Sequence, residues 1–574
     1  MEQVTNEEVA VLLYEIAFYL ELSGDTFRPR SFERAARSIE TLSESVTEIH
    51  RSQHIEGLMK IPFVGEGIAK KIDEKIRIGR VTQLEELKVR FPVRLSELLT
   101  VESVGPKTVR VLYEQLDVKN VEDLEKRARE GKIKSLPGFG NKSEEKILKG
   151  IEFLKACKGR QPLGTVLGLA QHIRDQLRFI EGVKSVVITG SLARGKETVE
   201  DLDLLAITSL PDVLVKAFIS TSEAIHVYQK QNTRVSIRLK IELNANLRII
   251  PEESFGAAQQ YFTGSKEHNL ALQRLAQDKG LKLNEYGVFS KDGQTIAGTN
   301  EEGIYTALGL PWIPPELREN LGEIEAAREE RLPDLIKHGS LRGDLQTQTN
   351  WTDGKNSIEE MGKAARELGL QYIAITDHTR SLAMVGGLDE SKIQEQGREI
   401  ERVNRKLAGI QILKGAEVNI LKDGNLDLSD DALADLDVVG AAVHTNFNMP
   451  QDEMTRRMIQ AIRNPHVDII FHPTGRIINR RPPYAVNMKK IIEAAKDNGT
   501  ILEIDAYPER LDLKDEHIRM AVDEGVKLCI DSDAHSMAQI NYLSYGITQA
   551  RRGWASRNDI VNTMSLDELL KYLS

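Results

Sequence analysis

Two aspartates separated by one residue begin an apolar run in the first half of the chain. Asp201 and Asp203 open the stretch DLDLLAIT, whose apolar residues predict a β-strand. Alternate residues of a strand share a face, so the two carboxylates project together. Such a pair can hold Mg²⁺ or Mn²⁺ ions that assist phosphoryl transfer. A solvent-facing pair at a strand terminus is the alternative interpretation.

A glycine–serine turn precedes these aspartates. Gly190 and Ser191 follow the apolar stretch VKSVVIT, which predicts a preceding strand. Backbone N–H groups and the serine hydroxyl of such a turn can donate to a triphosphate. The turn and the carboxylates together predict a site that acts on a nucleotide.

A second set of polar residues follows apolar stretches in the last 236 residues, 339–574. Apolar strands alternate there with amphipathic helices, the pattern of a β/α barrel. Single histidines at strand ends are usually structural, but several of them with carboxylates indicate a metal cluster at the catalytic face. The residues at these strand ends are His378, Glu417, His444, His472, Asp533 and His535.

The elements that precede both sites read as helices, and one pattern recurs among them. It occupies 61–72, 101–112 and 136–148, and each copy places a glycine-rich turn between two helical segments. Glycines allow a phosphate to approach the backbone, and the free N–H groups of the second helix favour an anion. Ordinary helix C-caps also use glycine, but three copies favour helix-hairpin-helix binding of DNA without sequence preference. The candidate DNA contacts are Gly65, Gly67, Gly105, Lys107, Gly138 and Gly140.

Composition limits the class of protein. The 574 residues exceed a single core and carry a net charge of −10, which excludes a uniformly basic protein. The two cysteines form no zinc or disulfide pattern, and no signal peptide or apolar span is present. We therefore expect a cytoplasmic protein without membrane contact. We also expect a monomer.

The motifs resemble those of the family X DNA polymerases over about residues 1–315. The segments that carry the resemblance are GSLARGKETVEDLDLL, NLRIIPEESFGAAQQYFTGSKEHN and the helical repeats. The resemblance implies that Asp201 and Asp203 hold two metals, and that dNTP and gapped or nicked duplex DNA are partners. The implied nucleotide-binding residues are Gly190, Ser191, Arg194, Tyr261, Phe262, Gly264, Ser265 and Asn269.

Three positions depart from that family's pattern. Asn246 stands where the family has its third metal-binding carboxylate, and its neutral amide is a poorer Mg²⁺ ligand that accepts no proton. Ala193 and Gln273 stand where the family usually has arginines. The Asn246 position is therefore degenerate, and we expect slow catalysis.

The C-terminal segment resembles the PHP family of metal-dependent phosphoesterases. The resemblance adds Asp353 to the ligand set and implies a 3′-end exonuclease or phosphatase that uses Zn²⁺ or Mn²⁺. In DLQTQTNWTDG, however, Gln346 and Gln348 replace two family histidines. Amide oxygens are weaker ligands than imidazole, so we expect fewer than three metals and impaired hydrolysis.

These features predict a multidomain α and α/β protein with a mixed-sheet palm, a thumb and a distorted PHP barrel. Gap-filling polymerase is the leading function. A degenerate DNA-binding scaffold that retains gap and nucleotide binding, and a phosphoesterase that docks DNA through its polymerase half, are alternatives. The predicted domains are 1–85 and 86–155 (helical, DNA-binding), 156–255 (palm), 256–318 (nucleotide and template contacts), 319–338 (linker) and 339–574 (barrel). The dense charge of EIEAAREERLP, near 322–332, predicts that the linker contains an exposed helix.

Overall fold

The chain forms two compact units, Met1–Lys158 and Gly159–Ser574, in a computed structural model that describes residues 4–25, 27–40, 42, 45–101 and 104–573. The division lies three residues after the boundary predicted at 155. The finer domain boundaries stay predictions.

The first unit is helical. Its helices are α1 (Asn6–Leu22), α2 (Arg28–Glu40), α3 (Val46–Leu58), α4 (Glu66–Ile78), α5 (Thr82–Arg90), α6 (Leu95–Leu99), α7 (Pro106–Leu116), α8 (Val121–Arg129) and α9 (Asn141–Cys157). Their apolar faces share one core, as the helical period predicted. The pairs α3/α4, α6/α7 and α8/α9 form the three predicted hairpins. Residues 102 and 103 of the second predicted copy lie outside the described residues.

The second unit begins with a five-stranded mixed sheet. Its elements are β1 (Gln161–Pro162), α10 (Leu163–Arg178), β2 (Val183–Thr189), α11 (Gly190–Ala193), β3 (Thr198–Val199), β4 (Asp201–Thr208), α12 (Pro211–Ile219), β5 (Ala224–Lys230), β6 (Arg234–Leu239) and β7 (Asn244–Ile249). The strand order β2-β4-β7-β6-β5 places β4 beside β7 in parallel, while β1 pairs with β3 separately. This is the mixed-sheet palm that the sequence predicted.

A smaller helical subdomain follows the palm. It contains α13 (Phe255–Thr263), α14 (Lys266–Asp278), β8 (Lys282–Asn284), β9 (Gly287–Phe289), β10 (Thr295–Ala297), α15 (Glu301–Ala307) and α16 (Glu323–Arg328). The linker was predicted to be exposed, and the structure contradicts this. The buried residues of α16 are Glu323, Ile324, Ala326 and Ala327. The short helix α16 packs its apolar side chains into the core of this subdomain and is not an exposed connection.

Seven parallel strands form the C-terminal barrel. The elements are β11 (Gly343–Thr347), α17 (Ile358–Glu367), β12 (Tyr372–Ile375), α18 (Glu390–Asn404), β13 (Gln411–Asn419), α19 (Asp430–Ala434), β14 (Val438–Ala442), α20 (Gln451–Ile462), β15 (Ile469–Ile470), α21 (Met488–Asn498), β16 (Ile501–Asp505), α22 (Asp515–Glu524), β17 (Leu528–Asp531), α23 (Leu543–Arg552) and α24 (Leu566–Leu573). A bridge between Thr347 and Ala534 brings the edge strands β11 and β17 together, which nearly closes the barrel.

The barrel and the palm share a core. Ile478 and Leu511 of the barrel lie in the apolar cluster of the palm. A Cβ on Gly164 of α10 would lie 2.2 Å from Cβ of Pro508, so this close approach needs glycine. The palm is therefore packed directly against the barrel. Among the described helices, none is long and apolar enough to cross a membrane.

Candidate functional site

The three predicted catalytic positions of the palm meet on neighbouring strands. Asp201 and Asp203 lie on β4, and the parallel register places Asn246 of β7 opposite Asp203. The Nδ2 atom of Asn246 donates to Oδ2 of Asp201 at 3.2 Å and to Oδ1 of Asp203 at 3.0 Å. The hydroxyl of Ser236 donates to Oδ1 of Asn246 at 2.7 Å and fixes this orientation of the amide.

Burial of the two aspartates in the palm disfavours their charge. Burial and the neighbouring Asp203 carboxylate raise the pKa of Asp201 to about 6. Burial also raises the pKa of Asp203, although the hydrogen bond from Asn246 and the charge of Arg248 oppose this shift. The pair therefore attracts positive charge, and two carboxylates on one face suit a divalent cation.

A cavity of about 550 Å³ opens beside these carboxylates. The eight predicted nucleotide-binding residues line it together with Asp201 and Asp203. They come from α11 and the residue that follows it, from the end of α13, from the turn between α13 and α14, and from the first residues of α14. Gln273, which departs from the family's arginine, also lines the cavity. The arrangement can hold a nucleotide next to a metal-binding pair, and the individual roles of the residues stay predictions.

Hydrogen bonds order the aromatic side of this cavity. Asn269 donates from Nδ2 to the carbonyl of Tyr261 at 2.7 Å and accepts from Gln260 at 2.8 Å. Ser265 begins α14 as its N-cap and accepts from the backbone N–H of His268. The guanidinium of Arg248 lies 4.5 Å from the ring centre of Phe262. These contacts hold the Tyr261–Phe262 pair at the cavity wall.

Sequence reasoning missed three cations of the cavity. Arg160, Lys196 and Lys266 line it beside the predicted residues. Lys196 lies two residues beyond Arg194 in the same turn, and Lys266 follows Ser265 directly. Their nearness to predicted residues was an available signal, whereas Arg160 reaches the cavity only through the fold. Positive side chains on this wall suit a triphosphate.

The barrel gathers its predicted ligands around Glu417. The Nε2 atoms of His444 and His472 each lie 2.9 Å from Oε1 of Glu417, and Nδ1 of His378 lies 3.3 Å from Oε2. Burial opposes ionisation of Glu417, but the charge of His378 and the hydrogen bonds from His444 and His472 hold its pKa well below the ordinary range. This carboxylate is the centre of the cluster.

Asp353 extends the cluster to a fourth histidine, His535. Its Oδ2 lies 3.5 Å from Nε2 of His378 and 3.6 Å from Nε2 of His535. Burial opposes the charge of His378, but the carboxylates of Glu417 and Asp353 outweigh burial and raise its pKa to about 9. Two groups, Asp353–His378–His535 and His378–Glu417–His444, each have ligand atoms close enough to share one metal.

The glutamine side of the cluster differs from these two groups. Gln348 donates from Nε2 to Oε2 of Glu417 at 2.8 Å, as an amide donor where the family has an imidazole ligand. Both polar atoms of the buried Gln346 side chain lack a hydrogen-bond partner among the described residues. The N–H that Gln348 directs at Glu417 is not a ligand atom, while the buried Oε1 of Gln348 has no hydrogen-bond partner among the described residues. An amide oxygen is thus the ligand atom that each glutamine can offer to a cation, and it is a weaker ligand than the imidazole nitrogen.

An arginine supplies positive charge beside Asp533. Asp533 was predicted to be a metal ligand. Its Oδ2 lies 3.6 Å from Nε of Arg510. The same Nε lies 3.5 Å from Oδ2 of the buried Asp505. The Asp533 and Asp505 carboxylates overcome burial and raise the pKa of Arg510. Part of the negative charge that would attract a metal to Asp533 is therefore already neutralised by Arg510.

The candidate DNA-binding glycines occupy matching positions in the hairpins. Gly65, Gly105 and Gly140 are the N-caps of α4, α7 and α9, in extended conformation and with no side chain to cap the helix. Gly67 lies in the first turn of α4, and Lys107 in the first turn of α7. Gly138 has φ +85° in the turn before α9, a conformation that favours glycine. The candidate residues in these three turns lie at or beside the N-terminus of a helix.

Four family models match successive parts of the chain. They are a helix-hairpin-helix domain over residues 4–81, a SAM-like helix-hairpin-helix tandem over 95–152, the DNA polymerase beta thumb over 258–319 and the PHP domain over 344–506. Their order along the chain is the order that the sequence predicted.

Curated relatives match the whole chain or one of its halves. The chain is 36% identical over 571 residues to the "DNA polymerase/3′-5′ exonuclease PolX" of Bacillus subtilis, with 99% of both chains covered. It is 30% identical over 228 residues to a "probable phosphatase" of Thermoanaerobacter sp. (strain X514), which covers 38% of this chain and 88% of that protein. DNA polymerase lambda of Rattus norvegicus is 23% identical over 345 residues, 55% of this chain and 56% of the relative.

Proposed function

Because this chain belongs to the family X DNA polymerases that carry a C-terminal PHP domain, we propose that it fills short gaps in DNA by transferring nucleotides to a primer 3′ end. One observation carries the proposal. Asp201, Asp203 and all eight predicted nucleotide-binding residues line a single cavity of about 550 Å³, although they come from separate segments of the chain.

The palm residues divide the task by chemistry. Asp201 and Asp203 would hold Mg²⁺ or Mn²⁺, and a cation bound there would supply a Lewis acid for the phosphates and the primer hydroxyl. Ser191 and Arg194 donate to the triphosphate of a dNTP, with Lys196 beside them. Tyr261 and Phe262 form the wall against the sugar. Catalysis of this kind depends on positioning and charge.

Asn246 lowers the efficiency of this site. Its N–H groups donate to Asp201 and Asp203, so its amide occupies one oxygen of each carboxylate and adds no negative charge to the site. A neutral amide also accepts no proton from the primer hydroxyl. Nucleotide binding survives, because it depends on the other cavity residues, while the transfer step is slow.

Gapped or nicked duplex DNA is the substrate that the first unit fits. Its three hairpins present helix N-termini behind glycines that leave room for a phosphate. Such contacts carry no base information, so binding is independent of sequence and weakens with salt.

The barrel contributes a 3′-end phosphoesterase activity that is weaker than that of a barrel with the family's histidines. Asp353, His378, His535, Glu417 and His444 fit one or two divalent metals, which would polarise a phosphate and a water. Gln346, Gln348 and Asp533 suit another metal less well, because amide oxygens are weaker ligands than imidazole and Arg510 already supplies a positive charge beside Asp533. We therefore propose fewer than three metals, Zn²⁺ or Mn²⁺, and hydrolysis slower than in a barrel with the family's histidines.

Primer extension on a one-nucleotide gap tests the polymerase function. We expect slow incorporation that is specific for the template base, faster with Mn²⁺ than with Mg²⁺, and lost in Asp203→Asn. Lys291→Asn, which changes an exposed turn distant in sequence from the site residues, is the control. Absence of incorporation with either ion, in protein that binds gapped DNA and dNTP, would contradict the proposal.

A further inference from the structure

The turn that carries Arg194 rests on a helix of the barrel. Gly195 has φ +64°, and a Cβ at this position would lie 2.2 Å from Cγ2 of Thr548 on α23. A side chain there would force the two elements apart, so glycine permits the contact. The main chain beside the nucleotide cavity is therefore supported by the barrel.

Arg552, the last residue of α23, adds hydrogen bonds to this contact. Its Nη1 donates to the backbone carbonyl of Arg194 at 2.8 Å and to Oε1 of Glu319 at 3.1 Å. Its Nε donates to Oδ2 of Asp515 at 3.1 Å. The Arg552 side chain is only 2% exposed. A buried guanidinium with acceptors on both sides is held in one orientation.

Glu319 receives three cations at one oxygen. Its Oε1 lies 3.0 Å from Nε of Arg194, 3.1 Å from Nη1 of Arg552 and 3.2 Å from Nζ of Lys196. Burial raises the pKa of Glu319, but the charges of Arg194 and Arg552 outweigh it and the pKa is lowered. The ionised carboxylate thus connects a barrel residue to two cations that line the nucleotide cavity.

This network fixes two nitrogen atoms of Arg194. Its Nε is bound by Glu319, and its Nη1 donates to the carbonyl of Thr263 at 2.5 Å. Its Nη2 makes no hydrogen bond within the part of the chain that the structure describes. Since Arg194 lines the cavity beside Ser191, the remaining nitrogen is available to an anion there.

We propose that Arg552 of the barrel is a positioning residue for the nucleotide in the polymerase site. It holds the Arg194 main chain directly and the Arg194 guanidinium through Glu319. The inference rests on the proposed function, in which Arg194 contacts the triphosphate. It also gives the barrel a part in DNA synthesis that needs no metal and no hydrolysis, so the two glutamines of the barrel leave it intact.

The test is dNTP affinity in the full-length protein bound to one-nucleotide-gap DNA with a dideoxy-terminated primer, which prevents turnover. Arg552→Gln should weaken dNTP binding about two- to thirtyfold, the range of residues that couple without touching the ligand. Arg551→Gln is the matched control, because Arg551 binds Glu316 and the carbonyl of Ile336 and does not bind Glu319. Arg552→Lys should restore part of the affinity, since it keeps the charge.

Arg194→Gln distinguishes the positioning role of Arg552 from the role of Arg194 at the triphosphate. Adding Arg552→Gln to Arg194→Gln should cost little more, because both act through one side chain. Normal affinity in Arg552→Gln, or equal losses in Arg551→Gln, would overturn the inference while the proposed function stands. Normal affinity in Arg194→Gln would overturn the inference together with the role of Arg194 at the triphosphate, whereas the proposed function itself is refuted only by the primer-extension test. If Arg552→Gln fails to fold, Glu319→Gln and Arg552→Lys provide the same comparison, and unchanged affinity in both would refute the inference.

Discussion

The amide nitrogen of Asn246 lies 3.0 Å from Oδ1 of Asp203 and donates a hydrogen bond to it. A carboxylate at the same place would repel Asp203 unless a cation lay between them. The palm is therefore arranged to keep Asp203 paired without a metal, at the expense of the charge that would bind one.

Restoring that charge should accelerate synthesis. We expect Asn246→Asp to raise the single-turnover extension rate at least about tenfold, or about 1.4 kcal/mol of transition-state stabilisation, because the added carboxylate strengthens the metal site. Asn498→Asp is the control, since it makes the same change of charge at an exposed position at the end of the barrel helix α21. An unchanged rate in Asn246→Asp, in protein that binds gapped DNA and dNTP, would show that position 246 is not the missing ligand.

The same substitution should change the response of stability to metal. Without divalent ions, Asn246→Asp replaces two hydrogen bonds with repulsion between carboxylates, so the melting temperature should fall. Added Mn²⁺ should raise it more in the variant than in the unmodified protein, because a ligand that binds the folded state stabilises it. Thermal melts with and without Mn²⁺ measure this, and equal shifts in both proteins would contradict it.

Histidines in place of the two barrel glutamines should increase metal content. We expect Gln346→His combined with Gln348→His to raise the bound metal per chain and the rate of 3′-end hydrolysis, since imidazole is the stronger ligand. Elemental analysis and a nuclease assay measure the two effects. Gln549→His is a control, because Gln549 is also buried with an unpartnered amide within the described residues. Three tightly bound metals in the unmodified protein would refute the prediction.

Side chains on the hairpin glycines should weaken DNA binding without unfolding the first unit. A Cβ on Gly65, Gly67 or Gly105 would meet nothing within 4 Å, so the fold can accommodate a side chain at each position. The same side chain would block the approach of a DNA phosphate to the turn. We expect the triple valine variant to bind gapped duplex more weakly and with a shallower dependence of log K on log[salt]. Gly168→Val, at an open position of the palm helix α10, serves as the control. Unchanged affinity in the triple variant would exclude these turns as contacts.

A half-buried carboxylate of the barrel, that of Asp468, should make stability depend on pH. Burial raises the pKa of Asp468 from 3.8 to about 7, so the folded state favours the protonated form. Its stabilising contribution is complete below about pH 4 and is lost as pH rises through about 7. Asp468→Asn, which removes the charge, should therefore gain stability relative to the unmodified protein between pH 5.5 and 8.

Thermal melts at pH 5.5 and at pH 8 measure the gain in stability of Asp468→Asn over the unmodified protein. Asp437→Asn is the control, because the Asp437 carboxylate also accepts one backbone N–H but is exposed, and we expect no such increase. A stability difference for Asp468→Asn that is the same at both pH values would contradict the prediction.

Much of the site was predictable because its signals are local. A strand turns alternate residues to one face, so the spacing of Asp201 and Asp203 already placed both carboxylates together. Apolar strands alternating with helices put the barrel histidines at one end. Glycine-rich turns between helical stretches identified the hairpins. The degenerate position Asn246 was also identifiable, because it belongs to a motif that continues along one strand.

The tertiary structure alone decided which distant residues complete the site. Arg552 lies 358 positions from Arg194 and 233 from Glu319, yet donates to both. Arg510 reaches Asp533 from a different loop of the barrel, and α16 is buried although its charged sequence predicted an exposed linker. None of these contacts has a period or spacing along the chain. They depend on how the palm packs on the barrel, and that packing is determined by complementary shape and charge over the whole contact surface.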